Sequence, residues 1–146
     1  MKKTPYILLP LIFSVNTYAE IITLSSNNED KTISIINKTF AYEIEKAKSL
    51  PTKIELEIEA AQIDLNNDNK NEIVARFLHP YFCGRYGCKT VIIERKDDGW
   101  NLILSNPTSE SDIEAQSEIF NGYRVLTFFN GNNWKYKTSH YERQKP

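Results

Sequence analysis

The chain has 146 residues, with 18 Lys and Arg against 19 Asp and Glu and a formal net charge of −1. That length suits one domain around one core. The near balance of charge argues against the dense positive surface needed to hold nucleic-acid phosphates or anionic lipid. Five glycines set against 8 Tyr and 7 Phe favour strands over helices.

The N-terminus reads as a cleavable signal peptide. Lys2 and Lys3 form a charged start, Tyr6 to Phe13 a short apolar stretch, and Thr17 and Ala19 the two small positions before a cut expected between Ala19 and Glu20. The apolar stretch is too short to span a bilayer and is interrupted by Pro10. Removal of residues 1–19 takes away Lys2 and Lys3 and no acid, which leaves 16 bases against 19 acids, a net charge of −3. No second long apolar run follows. The sequence therefore predicts a periplasmic product, residues 20–146, forming a single domain with no membrane span and no affinity for nucleic acid.

Residues 20–30 are polar and predict a loose start. From Lys31 to Ser49 the apolar residues Ile33, Ile36, Phe40, Ile44 and Ala47 recur at steps of three and four, a helical stripe that Pro51 ends. The β-branched run Thr32 to Ile36 leaves the start of this helix open, because it suits a strand equally well. After Pro51 the period becomes two: Ile54, Leu56 and Ile58 alternate with charged residues. Further strands are predicted over Ile73–Leu78, Thr90–Arg95, Trp100–Ser105, Ile113–Ile119, Tyr123–Phe129 and Trp134–His140. Between several of them lie Asp98-Gly99, Asn121-Gly122 and Asn130-Gly131, pairs that supply the positive φ of a tight hairpin. The fold class expected is α+β: an antiparallel meander of about six or seven strands with one N-terminal helix packed on it.

Two local motifs stand out. In the first, Asp64 to Glu72, oxygen-bearing side chains fall at Asp64, Asn66, Asp68 and Glu72, and the carbonyl of Lys70 completes a set suited to Ca²⁺. It is not an EF-hand, whose twelfth position would be Glu where this chain has Ala75. The same residues also suit a polar turn in which Asn and Asp side chains bond nearby backbone N–H groups without an ion. The run Asp64 to Val74 resembles the D-x-N-x-D-G-x-x-E loop of FG-GAP and VCBS-type blades, with Asn69 in place of the glycine. That resemblance implies a strand-to-strand loop with Asp64, Asn66, Asp68, Lys70 and Glu72 as calcium ligands.

The second motif is Tyr81-Phe82-Cys83-Gly84-Arg85-Tyr86-Gly87-Cys88. Cys83 and Cys88, the only cysteines, are expected to pair in an oxidising compartment, and Gly84 and Gly87 permit the sharp turning that a six-residue ring needs. His79, Tyr81, Arg85, Tyr86 and Lys89 cluster around that ring. Tyr and Arg are enriched at binding hot spots, and a rigid loop loses little entropy on binding. The alternative is that Phe82 and one tyrosine pack inward and the others are ordinary solvated loop residues. No nucleophile elbow, HExxH, P-loop or Rossmann turn is present, so the chain is expected not to be an enzyme.

The order of acidic turn, strand, C-G-x-x-G-C loop, strand and D-G-x-W turn, from about Asp64 to Leu104, resembles a group of small bacterial envelope proteins. Some of these are thought to neutralise cell-wall-degrading toxins or lysozymes. The resemblance implies a protein partner such as a peptidoglycan hydrolase or amidase toxin. The alternative is a calcium- or ligand-binding envelope module that uses the acidic turn. Either would be a monomer or a homodimer.

Overall fold

The computed structural model describes residues 18–109, 112–128 and 131–145, without the side chains of 107–109. The expected leader thus lies outside the described residues except for Tyr18 and Ala19, as do Phe129 and Asn130. Two helices and ten strands follow in chain order: β1 (Glu20–Ile22), α1 (Asp30–Thr39), α2 (Ala41–Lys48), β2 (Glu57–Ile63), β3 (Glu72–Leu78), β4 (Cys83–Gly84), β5 (Gly87–Lys96), β6 (Gly99–Ser109), β7 (Ile113–Phe120), β8 (Tyr123–Phe128), β9 (Asn133–Tyr136) and β10 (Tyr141–Arg143).

The strands form two antiparallel five-stranded sheets, which corrects the expectation of a single meander under one helix. One sheet runs β1-β7-β8-β9-β10. The other runs β2-β3-β5-β4, with β6 also pairing with β5. Consecutive hairpins exist as expected at β5–β6, β7–β8 and β8–β9, but after β6 the chain changes sheets. The reason lies in β3 and β5, which are apolar on both faces. Val74 and Ile92 join Leu104, Ile113, Leu126 and Phe128 in a core between the sheets. Ile73, Ala75, Phe77, Val91 and Ile93 point the other way and pack against Ile36, Phe40, Ile44 and Ala47 of the helical segment. Continuous apolar strands need cover on both sides. The helices supply one cover and the second sheet the other, in three layers.

The helical stripe is real but divided. Phe40 leaves helical geometry with φ −113° and ψ 27°. Its N–H closes α1 on the carbonyl of Ile36, while its own carbonyl accepts the Ile44 N–H of α2. Thr39 Oγ1 donates to the Ile35 carbonyl at 2.8 Å, a side-chain bond that bends helices. The break keeps Ile36, Phe40, Ile44 and Ala47 on one buried face. The β-branched run Thr32 to Ile36 is helical. The strand expected from Ile54 begins only at Glu57, and Ile54 is exposed. Within the expected loose start, Glu20 to Ile22 form an edge strand on β7.

Arg124 of β8 fastens the fold twice, through its backbone between the sheets and through its side chain within one sheet. Leu65, fully buried in the turn after β2, accepts the Arg124 N–H of β8 at 2.8 Å through its carbonyl. The Arg124 side chain, 1% exposed, donates to Glu20 Oε2 and to the carbonyls of Tyr18, Ala115 and Gln116. It thereby pins β1 to the β7–β8 pair with every bond charge-assisted. Replacing Arg124 by Met keeps bulk but strands the carbonyls of Ala115 and Gln116, which remain in the mature chain, so unfolding in urea should show a loss of about 3 kcal/mol. Glu20→Gln, whose side chain is half-exposed, should cost under about 1 kcal/mol.

Candidate functional site

The cysteine motif forms a β-hairpin. His79 starts it: its carbonyl accepts the N–H groups of Phe82 and Cys83 at 2.8 and 3.0 Å, and its Nδ1 accepts that of Tyr81 at 3.1 Å. Phe82 then turns inward and stacks on Phe77 with ring centroids 4.7 Å apart. Cys83 and Cys88 face each other across β4 and β5 and are joined by a disulfide. Only Arg85 and Tyr86 lie beyond the last pair, Gly84 and Gly87. Gly87 has φ 114°, a conformation that other residues rarely adopt.

Exposure divides the five residues expected to bind. Tyr86 is 66% exposed, with the Arg85 guanidinium 5.5 Å from its ring centre. Tyr81 is exposed and stands edge-on to Phe82. Lys89 is half-buried and borders a shallow hollow of about 380 Å³ together with Glu43 and Tyr81. His79 is buried, and its ring holds the turn from within. Three of the five therefore present side chains outward, and His79 acts on the loop's shape.

The acidic turn between β2 and β3 carries a ring of its own side-chain-to-backbone hydrogen bonds. Asp64 Oδ1 accepts the N–H groups of Asn66 and Asp68, and Oδ2 that of Asn69 at 2.9 Å. Asn66 Oδ1 accepts the Asp68 N–H, and Asp68 Oδ1 the Lys70 N–H. Asn67 and Asn69 take up positive φ of 58° and 62°, the conformation in which Asn replaces Gly most readily. Glu72 turns away from this ring and accepts the Leu65 N–H at 2.7 Å. Lys70 is exposed. Among the described residues no group of three or more His, Cys, Asp or Glu side chains is arranged to hold a metal ion.

A third arrangement escaped the sequence reading. Ile63 pairs with Glu72, and Glu94 pairs with Asn101. The register of β3 on β5, which sets Ile73 against Ile93, places Glu72 opposite Glu94 when continued by one residue. Two buried acids thus stand side by side, 1% and 3% exposed. Like charges directly opposite in a sheet are unfavourable. Burial pushes the Glu72 carboxyl up to about 7; the Leu65 N–H opposes that shift, and the negative charges of Asp68, Asp64 and Glu94 add to it. Glu94 Oε1 accepts the Tyr123 hydroxyl and the Lys96 ammonium, the latter at 2.9 Å, while Oε2 is buried without a partner. Burial, and then the bond to Glu94, drives the Tyr123 hydroxyl well above its ordinary range. The bond to Glu94 raises Lys96. Glu94 was legible in principle: in a strand buried on both faces it shares the face of Ile92, which predicts a buried acid.

Glu72 yields a pH prediction. Its pKa rises from 4.5 to about 7 on folding, so the unfolded chain binds fewer protons than the folded one between those values. Stability should therefore fall as pH rises through that window, by about 3 kcal/mol in total. Glu72→Gln keeps an acceptor for Leu65 and should flatten the profile measured by thermal unfolding. Asp64→Ala removes acceptors for three N–H groups and should cost about 2 kcal/mol, equally with and without Ca²⁺. A calcium-dependent difference would instead mark the turn as a cation site.

No family model, curated protein or solved structure matches this chain.

Proposed function

We propose that the chain is an exported binding protein of inhibitor or immunity type, which blocks a cell-wall-degrading enzyme by seating its disulfide-closed hairpin in the enzyme's cleft. The observation that carries this reading is the construction of the tip. Arg85 and Tyr86 project beyond a cross-strand disulfide whose base rests on the Phe77–Phe82 stack. A tip held this way gives up little freedom on association. Tyr and Arg are the side chains that contribute most at interface centres, and Arg85 with Lys89 offers positive charge to the paired carboxylates of a glycoside-hydrolase cleft. In this reading the chain binds and does not catalyse. An oxidising compartment outside the cytoplasm fits the cysteine pair.

The test is inhibition of a muramidase and of a peptidoglycan amidase, followed by cell-wall turbidity, together with crosslinking from the envelope of the native host. The wild-type chain should inhibit one enzyme or crosslink to it. Arg85→Glu and Tyr86→Ala should each weaken that interaction at least about 30-fold, a loss on the order of 2 kcal/mol, with the melting temperature unchanged. Inhibition that survives both substitutions, or no enzyme partner in either assay, overturns the proposal. Replacing both cysteines by Ser should cost about 2 kcal/mol of stability by loop entropy, measured in denaturant.

A further inference from the structure

A second feature lies away from the hairpin. Strands β5 and β6 and the segment from Tyr136 to Tyr141 line a cleft of about 680 Å³, with Glu94, Lys96, Leu102, Ser105, Tyr136 and His140 among its walls. The Glu94 side chain is 4% exposed. One of its oxygens takes both the Tyr123 hydroxyl and the Lys96 ammonium, and the other has no partner. An unmatched carboxylate oxygen in a buried site costs free energy that the fold does not require.

We infer that this cleft binds a small organic ammonium ion on Glu94, and that the Lys96 ammonium stands in the ligand's place when the cleft is empty. The chemistry of the site selects the class. The register of β3 on β5 sets Glu72 opposite Glu94, and the Lys96 ammonium already holds one Glu94 oxygen at 2.9 Å, while His140 stands elsewhere in the lining. A carboxylate that already takes an ammonium, and whose second oxygen has no partner, favours a cation over a neutral donor. Leu102, Ile103, Leu104 and Tyr136 are among the lining residues, and such an apolar wall suits an ammonium carried on a hydrocarbon frame better than a strongly hydrated inorganic cation. The Lys96 side chain is about half-exposed on a flexible stem, so it can swing out and surrender its bond.

Benzylamine and its neutral counterpart, benzyl alcohol, form the test pair, titrated into the full mature chain at millimolar concentration and followed by the backbone amide shifts of Leu102 and Tyr136. Benzylamine should move those amides and benzyl alcohol should not. Lys96→Met removes the internal competitor and should tighten benzylamine about tenfold, or about 1.4 kcal/mol. Glu94→Gln retains an acceptor for Tyr123 and should abolish the response while circular dichroism shows the fold intact. Equal responses to amine and alcohol, an unchanged response in Glu94→Gln, or no response in either the wild-type or the Lys96→Met chain overturns the inference. If Glu94→Gln does not fold, Lys96→Met against wild type decides the matter: benzylamine must tighten while benzyl alcohol stays silent, and equal affinity of benzylamine for the two chains overturns the inference.

Discussion

Strands β3 and β5 bury both of their faces, and the rest of the molecule is arranged to cover them. On one side Val74 and Ile92 meet the aromatic-rich sheet built from β7 to β10. On the other Ile73, Ala75, Phe77, Val91 and Ile93 meet α1 and α2. Neither cover is optional, because a strand pair exposed on one such face would present several contiguous apolar side chains to water. The same pair also anchors the buried acids and the cysteine hairpin. Glu72 and Glu94 sit at one end of it, and the disulfide hairpin continues β5 at the other.

The turn at Asp64–Glu72 is best understood from this central position. Leu65 in the turn is part of the inter-sheet core, its N–H held by Glu72 and its carbonyl by the β8 backbone. An acid at Glu72 therefore has a structural partner as well as an electrostatic cost. The ring of Asp and Asn bonds around it shapes a loop whose backbone groups would otherwise be left without partners next to a buried leucine. This account explains the richness in Asp and Asn through backbone demand alone.

Much of the local structure was legible from the residues. Apolar runs and the turn pairs between them located β3, β5, β6, β7 and β8 to within a few positions, and Asn121-Gly122 adopts the paired positive φ, 50° and 84°, that its hairpin requires. What alternation does not encode is the neighbour: a period of two states which face is apolar and is silent on which layer covers it. Hence one sheet was expected where there are two. The unbroken run at Val91, Ile92 and Ile93 was the available sign of double burial. Short strands such as β1 and β10 have almost no pattern of their own; Ile22 and Tyr141 are drawn in by the core between the sheets. The helix break at Phe40 was invisible because the apolar spacing runs straight through it. At the candidate sites, the cysteine pair followed from composition. The inward turn of His79 and the meeting of Glu72 with Glu94, 22 positions apart, depend on register and are set by tertiary packing.

The hairpin tip is mechanically insulated. Because the Gly84–Gly87 pair separates the cross-strand bridge from Arg85 and Tyr86, and Phe82 anchors the base in the core, changes at those two exposed positions leave the buried anchor untouched. A lineage under pressure from a changing adversary would be able to rewrite that dipeptide repeatedly while the scaffold drifted slowly. The expected mark of such a history is rapid divergence at two adjacent residues between two invariant cysteines.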